Sequence, residues 1–350
     1  MSRVPSAMLP ESSAGSPTAR VSKWSDFIDK EARLNFRPQF PSDEPQRRAA
    51  VSFGLLYGAL AALGWGVGLA AAHHGFSVGF EPFDLLFVRY AVAAPVLLVL
   101  YRATKRSGRI AKTKGTVAMT LALVGGPLLA ICVVTGGRKA PLSSGILIEV
   151  AALTVCSIVL ARLVLSERLG LLRTVAMLAL TARLAVLVYT SLVDGSPEVG
   201  LGIALFAAGG LAAATFAALS CRWHVDPITA MTIVSSASLA TFGPYYVFVG
   251  GLSRLSAIPW TLLLEQMVCQ GLIAGLFSWI GFLYAARILG LVTSSFMPAV
   301  TPAVAALITM LISRESPTML QWGLIAFGTF AAGLLMANVH AKTAVSAQTS

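Results

Sequence analysis

The sequence predicts an all-α integral membrane protein of about ten transmembrane helices, arranged as two inverted five-helix repeats. Three observations predict it. The apolar set AVILMFWYC makes up 56% of the 350 residues, charged residues only 12%, and the mean hydropathy is +0.78. A soluble domain carries about 25% charged residues, so this chain lacks the polar surface to cover a globule in water. Apolar runs long enough to cross a ~30 Å hydrocarbon core at 1.5 Å per helical residue succeed one another from Val51 onward. Finally, the two ends of the first half match the two ends of the second at one common offset.

Residues 1–50 stand apart, rich in Ser, Pro, acidic residues and Arg, with no apolar stretch near Met1 that would read as a secretory signal. They are expected to form a disordered cytoplasmic tail. Trp24, Phe27, Ile28 and Leu34 are set among charges there, which fits either a short interfacial helix or a solvated segment. The expected spans are 51–73, 83–101, 116–136, 142–165, 170–191, 199–221, 228–251, 260–286, 290–313 and 318–338, followed by a cytoplasmic tail over 339–350. The joints between them are short and hold Gly, Pro and charge, as in Gly136–Pro141 and Asp194–Glu198. The alternating ~10-residue segments of a membrane barrel are absent. The four cysteines lie in apolar stretches at no metal-ligand spacing.

Lys and Arg set the orientation. With the N-terminus inside, the inner loops and their flanks carry eleven, six of them between Arg102 and Lys114, and the outer loops carry four. Both termini are therefore expected in the cytoplasm, with the chain in an inner (cell) membrane. The net charge of +11 has the same origin: the basic residues punctuate apolar runs and form no face for nucleic acid.

Gly54–Leu63 aligns with Gly202–Leu211 at an offset of 148 residues, and Ser166-Glu167 aligns with Arg314-Glu315 at the same offset. Halves of five helices, an odd number, insert with opposite topology, which gives residues 51–191 and 199–338 as inverted repeats. In such architectures the substrate lies between the halves near mid-membrane.

Gly54–Leu63, Trp65-Gly66, Pro82 and Phe87-Val88-Arg89-Tyr90, together with Ala285, Leu289-Gly290, Ser294-Ser295, Pro298, Pro302, Glu315, Gly323 and Gly328, resemble the EamA-type transporters of the drug/metabolite transporter superfamily. The resemblance covers about residues 51–338. It implies ten helices and export or exchange of small metabolites, and it does not specify a substrate. The halves differ at informative positions: Pro298 and Pro302 correspond to Val150 and Thr154, while Glu149 and Arg183 correspond to Met297 and Ala331. The site is therefore expected to be asymmetric.

An ionisable side chain at the bilayer centre costs about 2.5–3.5 kcal/mol on insertion scales, so each one calls for a partner or a wet cavity. Arg89, Glu149, Arg183 and Glu265 lie inside expected spans, all roughly 8–12 Å below the outer face by helix rise. Two cations and two anions at one level point to a neutralising network, with Arg89–Glu149 the leading pair and Glu265 the most interfacial; independent snorkelling is the alternative. Trp65, among Gly64, Gly66 and Gly68, suits either a cavity wall or a packed core. Pro298 and Pro302 deprive the carbonyls of Ser294 and Pro298 of helical donors, as in a broken transporter helix or a packing kink.

Enzyme signals are weak. His73 and His74 point about 100° apart on a helix, unlike an i, i+4 zinc pair. Gly75-Phe-Ser-Val-Gly79 matches a nucleophile-elbow pattern but lies between two spanning helices, without the strand that motif requires. No nucleotide-binding motif occurs, and no metal or other cofactor is expected. The reading is a secondary transporter of a small polar or amphipathic metabolite, with the lipid bilayer and that substrate as partners. A homodimer is compatible with the sequence, and a non-transporting receptor or scaffold is the alternative.

Overall fold

A computed structural model describes residues 44–104, 113–167, 170–193, 196–313, 319 and 322–333. The chain divides into units 1–35 and 36–350, and every described residue belongs to the second. The Trp24–Leu34 segment, most of the first inner loop, Glu315 and the tail over 339–350 lie outside the described residues.

Among the described residues all regular structure is helical. The helices are α1 (Glu44–Ser77), α2 (Pro82–Ala103), α3 (Gly115–Lys139), α4 (Leu142–Val164), α5 (Leu171–Val193), α6 (Pro197–Arg222), α7 (Pro227–Phe248), α8 (Gly251–Ala257), α9 (Trp260–Leu289), α10 (Leu291–Leu311) and α11 (Trp322–Gly333). Eight of these are long and apolar enough to cross a membrane, and α7 with α8 makes a ninth if counted as one broken span. This is an all-α, multi-pass integral membrane protein.

The seventh expected span, 228–251, corresponds to α7, but the axis turns by 79° after Phe248, and of the tenth, 318–338, only Met319 and α11 are described. Pro244 removes a helical donor one turn earlier, and Gly250 takes a left-handed φ of +77° that ends the helix and starts α8.

Two helices widen rather than break. Val124–Leu128 in α3 and Met267–Phe277 in α9 are π-helical. In α3 the cause is Gly125-Gly126-Pro127, where Pro127 has no N–H and its ring needs room. In α9 the Ser278 hydroxyl donates to the Ile273 carbonyl at 2.9 Å, five residues back, and so satisfies it. Position 124–128 shifted by 148 residues falls at 272–276, inside the second segment.

Packing between the halves shows the same offset. Gly54 of α1 abuts Ile288 and Leu289 of α9, and Gly202 of α6 abuts Ala140 beyond α3. Gly281 faces Ala61, and Gly209 faces Val133. Thr301 donates to the Ala62 carbonyl at 3.4 Å, while Gly210 sits against Leu153. In each pair of contacts, both residues of one are 148 positions from those of the other. Thus α1 packs on α9 and α10, and α6 packs on α3 and α4.

Candidate functional site

A narrow cleft, with about 20 Å³ of internal space and the rest open to its surroundings, is lined by Arg89, Tyr90, Phe216, Ser235, Gly275 and Trp279 among others. Its walls come from α2, α3, α6, α7 and α9, so both sequence halves contribute. Both π-helical segments reach it, through Gly125 and Gly275. Arg89 is seven residues into α2, about 10 Å from the helix end at Pro82.

Arg89 is held by a neutral group. Its Nη2 donates to Gln270 Oε1 at 2.7 Å, and Gln270 Nε2 donates to the Gly68 carbonyl at 2.5 Å. One turn earlier Gln266 Nε2 donates to the Ala71 carbonyl at 2.9 Å. Two buried glutamines thereby tie α9 to α1, and one of them carries the tie on to α2. Gly275 leaves the guanidinium stem its place: a Cβ there would lie 2.8 Å from Arg89 Cγ. Beneath it Trp279 meets Trp65 edge-on at 5.3 Å and Phe216 at 5.5 Å, and Phe282 stands 5.4 Å from Trp65. Trp65 is thus half-buried against the aromatic layer under the cleft and is absent from its lining.

The four intramembrane charges do not form one network, which corrects the expectation from sequence. No ion pair within 4.0 Å joins any two of them. Glu149 is near enough to Arg89 to interact electrostatically but makes no hydrogen bond to it, because Gln270 occupies the guanidinium edge instead. Arg183, only 4% exposed, is folded over Gly328 of α11 with its Nε unpartnered. Glu265 is paired with His74, whose Nδ1 lies 2.9 Å from its Oε1; both are about one-third exposed. Depth placed these four at one level, but their azimuths around the bundle separate them.

Pro298 and Pro302 serve packing. Pro298 starts a 3₁₀ turn over Met297–Val300, and the hydroxyls of Ser294 and Ser295 return to the carbonyls of Gly290 (2.7 Å) and Leu291 (2.5 Å). The reshaped α10 then lays Met297 and Val304 against Gly58 and Gly66 of α1. Neither proline lines the cleft.

Two polar clusters were not anticipated. Asp84, fully buried, accepts from the Tyr246 hydroxyl at 2.5 Å and Arg254 Nη2 at 2.9 Å through Oδ1, and from the Glu81 amide at 2.8 Å through Oδ2. This fixes the α7–α8 bend to the start of α2, where Phe87 also stacks on Tyr246 at 4.3 Å. At the opposite ends of the helices Glu167 accepts from the Leu291 and Val292 amides at 2.8 and 3.1 Å, capping α10 from the α4–α5 joint. Burial raises its pKa above the ordinary carboxylate range, and the two amide bonds only partly offset that. Arg173 adds a bond to Thr293 at 3.1 Å. A lone Asp before an apolar run and a Glu at a helix joint look like ordinary caps in sequence.

The four cysteines are free, and no cluster of three or more His, Cys, Asp or Glu suited to a metal occurs among the described residues.

The chain matches the EamA-like transporter family, part of the drug/metabolite transporter superfamily, over residues 52–189. The first group of residues carrying the sequence resemblance, Gly54 to Tyr90, falls inside that stretch, and the second group lies beyond it. No curated protein matches. Among solved structures 18 chains match. One, described only as "Crystal structure of protein", shares 17% identity and a TM-score of 0.58 over 83% of this chain and 96% of its own, a likeness of fold.

Proposed function

We propose that this EamA-like membrane protein is a secondary transporter, an exporter or exchanger that moves a small polar or amphipathic metabolite across the inner membrane, with both termini cytoplasmic. In this reading the chain is two inverted five-helix repeats, 51–191 and 199–338, and the cleft around Arg89 is the substrate site. One observation carries it: the cleft lies at the joint of the two halves, where both helices that reach it by π-helical segments are widened at positions related by the repeat offset. Widened turns free backbone groups and let a helix change its twist at little cost, which suits a wall that must open to either side. The match over 52–189 and the paired contacts at an offset of 148 support the same reading. With no nucleotide motif in the sequence, the driving force is a substrate or ion gradient.

Flux in proteoliposomes tests this. Purified protein should carry out counterflow of a labelled metabolite, and blocking the cleft through Ser235→Trp should abolish it. Saturable ligand binding without any flux would instead support a receptor that retains the fold.

A further inference from the structure

Arg89 makes one hydrogen bond, to the neutral Gln270 amide, and no ion pair. Its Nε has no partner, and the residue forms part of the cleft wall. A guanidinium this deep with no protein carboxylate on it is costly, and an anion brought by a ligand would relieve that cost. Glu149 contributes no atom to the cleft wall. It reduces the positive potential from a distance and, with Gln270 holding Nη2, leaves the Nε side of Arg89 unoccupied. The rest of the wall is apolar or aromatic, Phe216 among them, with Tyr90, Ser235 and the indole N–H of Trp279 able to make a neutral polar contact.

We propose that the cleft selects a small organic anion, a carboxylate carried on a flat apolar body, with Arg89 binding the carboxylate, Trp279 and Phe216 taking the body, and Gln270 positioning the guanidinium. Bidentate geometry suits this pairing, since the planar guanidinium matches a carboxylate edge to edge. The proposal rests on the transporter reading of the same cleft and narrows its substrate class.

The test titrates the purified full chain in detergent with four probes that share a phenyl body and differ in the charge of the head group, phenylacetate, 2-phenylethanol, 2-phenylethylamine and phenylalanine, read by tryptophan fluorescence. Phenylacetate should bind at least tenfold more tightly than the other three. Arg89→Gln should abolish that preference, and Arg89→Lys should keep part of it. Gln270→Glu, which gives Arg89 a built-in carboxylate, should abolish it as well; Glu149→Gln should tighten phenylacetate several-fold. Unfolding midpoints of all variants establish that each one folds. A preference for the amine or the zwitterion, no preference, or phenylacetate binding that survives Arg89→Gln would overturn the anion assignment. Counterflow of whichever probe binds separates the two readings. Amine flux would refute the anion class and leave the transporter standing, whereas phenylacetate binding without flux would do the reverse.

Discussion

The Asp84 cluster gives a coupling energy that can be worked from geometry. Asp84 is fully buried, so its carboxylate depends on the protein for all solvation. Arg254, with its side chain 37% exposed, contributes little beyond what water would offer once screening is counted. The Tyr246 hydroxyl at 2.5 Å is different: both partners are buried, and a hydrogen bond to a charged group contributes about 1.5–3 kcal/mol. Tyr246→Phe should therefore cost about 2 kcal/mol. Asp84→Asn should cost a similar amount, because an amide oxygen that accepts from the Glu81 N–H leaves the amide NH2 facing two donors, the Tyr246 hydroxyl and Arg254 Nη2. The double variant should be little worse than either single one, giving a coupling near 1.5 kcal/mol by the standard cycle. The assay is unfolding by SDS titration in mixed micelles, followed by far-ultraviolet circular dichroism. A coupling below about 0.5 kcal/mol would show that the two side chains act independently and that their hydrogen bond does not fix the α7–α8 bend.

Three other outcomes are expected. The raised pKa of Glu167 means that the folded state holds its proton to higher pH than the unfolded chain, so stability falls as pH rises through the region above the ordinary carboxylate range; Glu167→Gln should flatten that limb, and identical limbs would refute the cap's role. In intact cells a cysteine placed at Ser107 should be shielded from an impermeant thiol reagent and one at Ser196 should react, and the reverse pattern would overturn the orientation. Glu149 bears no ion pair that would hold it ionised, so an imposed pH gradient should drive flux in wild type and fail to drive it in Glu149→Gln; an equal response in both would remove Glu149 from proton coupling.

Hydropathy and length located the helices well because spanning a membrane is a local requirement: each run must satisfy its own backbone. The bend after Phe248 was harder to read, since Pro244 and Gly250 are tolerated inside many spans and only the tie from Tyr246 and Arg254 to Asp84 makes this pair a corner. For the site, depth was legible and azimuth was not. Helix rise puts Arg89, Glu149, Arg183 and Glu265 at comparable heights, but partners depend on which face of which helix each occupies. Gln270 was missed for a related reason. A neutral amide carries no charge signal in a hydropathy scan, although two glutamines four residues apart in an apolar helix, Gln266 and Gln270, were a readable hint.

The two halves share a frame and divide the chemistry unevenly. Under the offset of 148 residues Arg89 corresponds to Ala237 and Glu149 to Met297, while Gln270 corresponds to Ala122 and Trp279 to Ile131. The first half thus supplies the charges in and beside the cleft, and the second supplies the amide that aims the guanidinium and most of the aromatic surface below it. Neither half alone assembles the site. In the proposed mechanism any rocking of one half against the other must stretch or break the Arg89–Gln270–Gly68 chain, because its three residues sit on three different helices, two of the first half and one of the second. A ligand anion on the Nε side of Arg89 draws the guanidinium charge away from Gln270 and weakens that bond. Binding and the loosening of that interhalf tie are therefore one event, so a ligand that occupies Arg89 also lowers the cost of moving the halves.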